Sequence, residues 1–206
     1  MRADARRRRR SCFALLLLAM LSACHQVDSP TAPRSPERSG GRVERGERRA
    51  VLEARSVRVQ DGDSFIARTE NGDFLTIRLS GVDAPERNQP FADHSRESLR
   101  FLLEHRRLQI RIAKYDAYDR AVAQVFSLGD GAPVDVGLVQ LENGLAWFFR
   151  RYREDLPPQS RDPYALAEQA ARAARRGLWQ SDRAEPPWEF RQGQQRQQPG
   201  SRGASP

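Results

Sequence analysis

The chain has 206 residues, room for one domain with extensions, and a formal net charge of +8. That charge does not describe a basic domain. Residues 50–191 hold 21 basic and 22 acidic side chains, and the surplus lies in the segments on either side. A phosphate-bearing partner held by a global positive field is thereby excluded, and any phosphate binding must come from local placement of Arg.

Arg2 and Arg6 to Arg10 form a basic run ahead of an apolar stretch over residues 12–21, which is too short to span a bilayer comfortably. It ends in Leu21-Ser22-Ala23-Cys24, which is similar to a bacterial lipoprotein processing site. Residues 1–23 therefore read as a signal peptide and Cys24 as the lipidated first residue of the exported protein. Ordinary secretion with cleavage nearby is the alternative. Cys12 leaves with the signal, so the mature chain keeps one cysteine and no intramolecular disulfide. The expected location is the cell envelope, at the outer membrane or the periplasmic face, turned away from the cytoplasm. His25 after the lipid site, in place of Asp, resembles outer-membrane sorting in enteric bacteria. Residues 24–49, with almost no apolar side chains, read as a disordered tether, and residues 192–206 as a disordered tail.

Between them the pattern is of short strands and a few helices. Residues 51–59 form a first strand. Residues 63–69 and 73–80 flank Asn71-Gly72, which signals a two-residue hairpin turn. Residues 93–105 read as a helix with Leu99, Leu102 and Leu103 inward. Residues 107–114 alternate with period two, and 120–127 form another strand. Val134, Leu138, Leu141 and Leu145 sit at helical spacing. A last helix is expected to start at Asp162-Pro163 and stop at Gly177. Five short strands with interspersed helices predict a small closed β-barrel of the α+β class, with helices packed on it.

Two segments carry the chemistry, Asp61-Gly62-Asp63-Ser64 and Arg78 to Glu86. With Asn71 and Gly72 as the turn, Asp63 lies opposite Ser80 and Phe65 opposite Arg78. Arg78 then shares the face of Asp63, while Ile66, Leu75, Ile77 and Leu79 form the core side. Asp83 follows just past the strand end, and Glu86 one turn later. The same register sets Glu70 against Asp73, a like-charge pair, so a slip stays open. Bringing Asp63, Asp83 and Glu86 together without a counter-charge is costly. A bound Ca²⁺ removes that cost, and a cation beside Arg78 suits a phosphate that touches both. The bland alternative is a set of solvated residues at a hairpin end.

These segments, followed in order by Tyr118-Asp119-Arg120, Gly144-Leu145-Ala146 and Gly177-Leu178-Trp179, resemble thermonuclease, the staphylococcal nuclease-like family, over roughly residues 51–180. Pro187-Trp188-Glu189 resembles an extension of its bacterial members. The resemblance implies a five-stranded OB-fold barrel with about three helices, and a Ca²⁺-dependent endonuclease cutting DNA and RNA to 3′-phosphate ends. It implies Asp63, Asp83 and the backbone carbonyl of Ala84 as Ca²⁺ ligands, and Glu86 as the residue that orients or deprotonates the attacking water. Arg78 and Arg120 would grip the scissile phosphate. Tyr118 and Tyr152 would lie near the bound nucleotide, with plain packing as the alternative for each. Three departures stand out: Ala84 where Thr is usual, Ala117 where a Lys is common, and Asp119 where a Gly precedes the Arg. The Asp119 carboxylate is expected to pair with Arg120 and compete with substrate.

The partners expected are DNA and RNA substrates and a membrane reached through the lipid anchor. A monomer without an obligate protein partner is expected. The competing reading is a non-catalytic OB-fold module that binds nucleic acid or protein. Degenerate modules of that kind should have lost acids or arginines, and all five polar site residues are present here. Trp147, Phe148 and Phe149 are expected in the core, with Trp179 and Trp188 packing the C-terminal segment on the barrel. His25, His94 and His105 are expected to face solvent.

Overall fold

The computed structural model describes residues 50–197. The signal peptide, Cys24, the tether, His25 and the tail from residue 198 lie outside the described residues.

Strand β1 (Val51–Val59) leads into β2 (Ser64–Thr69), β3 (Phe74–Leu79) and the two-residue β4 (Val82–Asp83). Helix α1 (Ala92–Leu103) follows, then β5 (Arg107–Tyr115), β6 (Ala121–Leu128) and the short β7 (Val134–Asp135). Next come α2 (Val136–Glu142), β8 (Trp147–Phe148), a 3₁₀ segment (Arg150–Asp155) and α3 (Pro158–Ala173). A second 3₁₀ turn (Gly177–Gln180) precedes α4 (Pro187–Gln197). The main sheet runs β3-β2-β1-β5-β6-β7, and a parallel pairing of β3 with β6 closes the first five of these into a barrel. β4 pairs separately with β8, placing Asp83 opposite Trp147.

The strands form where apolar residues recur at every second position. In β5, Leu108, Ile110 and Ile112 point inward. They meet Phe65, Ile77 and Leu79 from the hairpin and Leu99 and Leu103 from α1 in one core. Each such side chain contributes roughly 1.5–3 kcal/mol on burial. β6 is buried along nearly its whole length, because α2 packs on its outer side while the barrel fills its inner one. Asp135 caps α2 by accepting from the Leu138 amide, and its carboxylate also accepts from the Tyr164 hydroxyl at 2.8 Å. This tie fastens α3 to α2.

Four local expectations are corrected. The hairpin pairs Phe65 with Ile77 and Ser64 with Arg78, one residue away from the predicted register. Thr69 and Asp73 close a three-residue loop, with Gly72 at φ +92°. A turn residue in the left-handed region ahead of the second strand is the usual solution for loops of that length. It removes the Glu70–Asp73 opposition that the two-residue turn required. The core face therefore carries Phe65 and Ala67, and Ile66 lies on the other side. Helix α3 starts at Pro158, with Pro163 inside it, and ends at Ala173. Pro158 takes the first helical position, where its missing N–H costs nothing. Val134 belongs to β7 and is exposed, and α2 begins two residues later. Finally, α4 carries the chain helically through residues 192–197, the start of the expected disordered tail.

Candidate active site

The loop 60–63 is pinned from three sides before any side chain chemistry enters. A Cβ on Gly62 would collide with the Ser95 hydroxyl of α1 and lie 2.8 Å from Cβ of Ala84, so only glycine allows the loop to come this close. The buried Gln140 amide donates to the Gly62 carbonyl at 2.8 Å and to the Ser95 carbonyl at 2.9 Å. Asp61 accepts from the Asp63 amide at 3.1 Å. These contacts fix Asp63, which is only 3% exposed, at the mouth of the hairpin.

Arg78 then joins the two aspartates. Its Nη1 donates to Asp63 Oδ1 at 2.8 Å, and its Nη2 to Asp83 Oδ1 at 3.0 Å. The expected proximity of Arg78 and Asp63 is present, although Arg78 faces Ser64 across the ladder and its long side chain makes up the offset. Asp63 also accepts from the Ser64 hydroxyl at 2.7 Å and, through Oδ2, from the Ala84 amide at 2.9 Å. Ala84 is thus drawn to the site through its backbone, a contact that does not depend on its side chain.

The electrostatics differ among the three aspartates. Burial pushes the Asp61 carboxyl up to about 7, and the neighbouring Asp63 charge adds to the rise, although the residue as a whole lies at an exposed rim. Burial acts on Asp63 in the same sense but is outweighed by Arg78, the Ala84 amide and the Ser64 hydroxyl, which hold it below the usual carboxylate range. Asp83 is raised by burial and by Asp63, against the pull of two guanidinium groups. The site therefore concentrates negative charge that Arg78 only partly neutralises.

Barrel closure brings the second arginine. The parallel ladder sets Arg78 beside Val122, so Arg120, two residues earlier, emerges on the same cavity. That open cavity has a volume of about 920 Å³ and is lined by Asp63, Asp83, Glu86, Arg78 and Arg120 together with both expected tyrosines. Tyr118 is 81% exposed and Tyr152 42%, so neither ring is core packing. Arg120 lies over the Tyr118 ring at 5.4 Å, and Lys114 over the Tyr152 ring at 5.0 Å. Trp147 and Phe148 are core residues as expected, while Phe149 is half-buried and stacks on Trp188. Trp179 meets Trp147 edge-on, and His94 and His105 are exposed.

Arg120 is not held by Asp119. Its Nε donates to Asp116 Oδ2 at 2.8 Å, while Asp116 Oδ1 accepts the backbone amides of Tyr118 and Arg120. Burial would raise the Asp116 carboxyl, but these donors, led by Arg120, hold it below its ordinary value. Asp119 has φ +59°, a left-handed turn position that favours Gly and that Asp tolerates. Its contribution is to the turn backbone.

Three residues escaped the sequence reasoning. Asp61 was visible in the Asp-x-Asp pattern but was not assigned a role. Asp116 had a signal in its place at the start of a turn, where Asp often accepts amides two residues on. Arg191 of α4 donates to Asp83 at 3.2 and 2.7 Å and to Glu86 at 2.6 Å. It stands three positions after Trp188, one turn along a helix that the composition of residues 192–206 concealed.

As possible cation donors the site offers hard carboxylate oxygens and backbone, in keeping with Ca²⁺ or Mg²⁺ chemistry. Among the described residues, no three or more Asp, Glu, His or Cys side chains converge as a ready-made metal cluster. Asp63 and Asp83 are the pair brought together, and Glu86 is turned to Arg191.

A family model described as "Staphylococcal nuclease homologue" matches residues 76–181, just over half of the chain. Among curated relatives, the "Micrococcal nuclease" of Shigella flexneri is 29% identical over 66% of this chain and 78% of its own length. The "Probable endonuclease LCL3" of Phaeosphaeria nodorum is 38% identical over 59% of this chain and 42% of its own length. An "Uncharacterized 38.1 kDa protein" of Capnoides sempervirens is 35% identical over 65% of this chain. The chain spans only 38% of that last protein's length. With the closed barrel, the paired aspartates under one arginine and a family match that takes in Arg78, Asp83, Glu86 and Arg120, the chain belongs to the staphylococcal nuclease homologue family.

Proposed function

We propose that this protein is a Ca²⁺-dependent nuclease that hydrolyses phosphodiester bonds in DNA and RNA and leaves 3′-phosphate ends. The observation that carries the reading is the single guanidinium of Arg78 holding Asp63 and Asp83 together on a cavity that Arg120 also enters. Nuclease names among the relatives agree with it.

Asp63, Asp83 and the Ala84 carbonyl are the groups that would hold the cation. Bound there, the cation would supply Lewis-acid stabilisation of the phosphoryl oxygens. Arg78 and Arg120 line the same cavity, and the N–H groups they do not give to Asp63, Asp83 and Asp116 would meet the charge that grows on the equatorial oxygens of a phosphate there. Glu86 lies on the cavity and accepts the proton of the attacking water, or aims that water in line with the departing 5′ oxygen. Tyr118 and Tyr152 offer exposed rings on the cavity wall against which bases can rest.

The test is incubation of the protein with single-stranded DNA or RNA, with Ca²⁺, Mg²⁺ or a chelator. Cleavage that needs the cation supports the proposal. Binding without cleavage under every condition supports instead a non-catalytic module, a reading favoured by the ion pairs that engage Arg120, Asp83 and Glu86.

We also propose export and lipid anchoring through Cys24, on the strength of Leu21-Ser22-Ala23-Cys24. Among the described residues no helix is long and apolar enough to cross a membrane. Labelling of the protein by palmitate in cells, lost in Cys24→Ser, checks this.

A further inference from the structure

Arg191 lies outside the span matched by the family model and belongs to α4. Its Nη2 donates to Asp83 Oδ2 at 2.7 Å, and its Nη1 to Asp83 Oδ1 at 3.2 Å and Glu86 Oε1 at 2.6 Å. Since Asp83 Oδ1 already accepts from Arg78 at 3.0 Å, both oxygens of this carboxylate are engaged by guanidinium groups. The carboxylate is 1% exposed, so water offers it little alternative solvation.

Besides these ion pairs, a ring stack and a hydrogen bond hold α4 over the site. The Trp188 ring stacks on Phe149 with centroids 5.1 Å apart and planes 5° from parallel. The Gln89 amide donates to the Glu185 carbonyl at 2.9 Å, just ahead of the helix. Gln89 also accepts from the Glu86 amide, so the loop bearing Glu86 and the approach to α4 are tied through one side chain. The anchorage is concentrated in the first turn, where Pro187 is buried and Trp188 packs against the cluster of Trp147 and Trp179. Trp188 is only half-buried, and the residues of α4 after Arg191 are mostly exposed.

We propose that Arg191 is a built-in counter-ion that a divalent cation must displace from Asp83, so that docking of α4 and loading of the cation oppose each other. The proposal rests on the reading above of Asp83 as a cation ligand. Oδ2 of Asp83, the oxygen that Arg78 leaves alone, is the one Arg191 takes with its shorter bond. A cation drawing on that oxygen would meet a positive charge within a few ångströms, beside a carboxylate that is itself buried, where repulsion is screened less than at an exposed pair. Release of Arg191 also frees Glu86, so one movement of α4 makes the metal ligand and the water-orienting carboxylate available together. By linkage, the factor by which docking weakens cation binding is the factor by which the cation weakens docking.

The experiment measures Ca²⁺ affinity by calorimetry for the wild-type protein, Arg191→Gln and Trp188→Ala, together with hydrogen exchange over residues 187–197. Arg191→Gln is expected to bind Ca²⁺ roughly tenfold or more tightly, in the usual range of such couplings. Trp188→Ala, which leaves the charges of the site in place and loosens the helix, shifts affinity in the same direction by a smaller factor. In the wild-type protein, saturating Ca²⁺ speeds exchange in α4. Tighter binding by Arg191→Gln without any change in exchange, or with no effect of Trp188→Ala, reduces Arg191 to a field effect and overturns displacement. Unchanged or weaker binding by Arg191→Gln, in a protein that still binds Ca²⁺ and cuts DNA, overturns the inference alone. Absence of Ca²⁺ binding in all three proteins overturns it together with the calcium reading.

Discussion

Asp63 and Arg78 are joined at 2.8 Å although they do not face each other across the hairpin, where Arg78 pairs with Ser64. The guanidinium reaches one step back along the strand to Asp63 and, with its other nitrogen, forward to Asp83. One fork thus sets the spacing of the two carboxylates on which the proposed chemistry depends.

Arg78→Lys is therefore expected to keep the fold, because the core face of β3 is untouched, and to lose activity on the order of 10²-fold or more. A single ammonium cannot span both carboxylates and still present a fork to phosphate. Turnover of single-stranded DNA, measured beside a thermal melt, checks this. Near-normal turnover would remove Arg78 from the mechanism.

Glu86→Gln is expected to cripple turnover without weakening Ca²⁺ binding, since Asp63 and Asp83 are the proposed ligands and Glu86 helps to hold Arg191 docked. Parallel kinetic and calorimetric titrations separate the two effects. A Gln variant that turns over normally contradicts the role given to this carboxylate.

Gly62→Ala should cost about 1–3 kcal/mol, because the new methyl has to push aside Ser95 and Ala84 in a closely packed corner. Chemical denaturation gives the value, and Ser95→Gly in the same chain should recover part of it. A variant as stable as wild type would show that the loop yields.

Asp119→Gly should raise stability by up to about 1 kcal/mol and leave turnover within a factor of about two, as the residue occupies a left-handed turn and Arg120 is held by Asp116. A marked rise in activity would instead restore Asp119 as the competitor for Arg120.

Asp61 gives a pH dependence. Its folded carboxyl is raised from 3.8 to about 7, so between those pH values the folded chain keeps a proton that the unfolded chain has released. Its contribution to stability is present below about pH 4 and is lost as pH rises through about 7. Denaturation midpoints without added cation should fall across that window in the wild-type protein and fall less in Asp61→Asn. Identical profiles would show that Asp61 titrates normally.

Much of the barrel was legible because β5 declares itself by period-two alternation and Asn71-Gly72 marks the hairpin of β2 and β3. The pair of acids with Arg78 was legible because all three lie in one hairpin and its exit loop. The register was not, since Asn71-Gly72 serves a two-residue and a three-residue loop alike, and only packing of Phe65 on Ile77 decides between them. The start of α3 was missed because Asp162-Pro163 imitates a helix start that Pro158 supplies earlier. Asp116 and Arg191 act through partners that are fixed by turn geometry in one case and by the docking of a distant helix in the other. Neither relation is local in the pattern of residues, and the polar composition after residue 191 masked the helix that delivers Arg191.

The most direct measurement of the central claim is end-group analysis of single-stranded DNA exposed to the protein with Ca²⁺ or with chelator. Cleavage is expected only with the cation, leaving 3′-phosphate and 5′-hydroxyl ends. An intact substrate with every divalent cation tried, or products ending in 3′-hydroxyl, would contradict it.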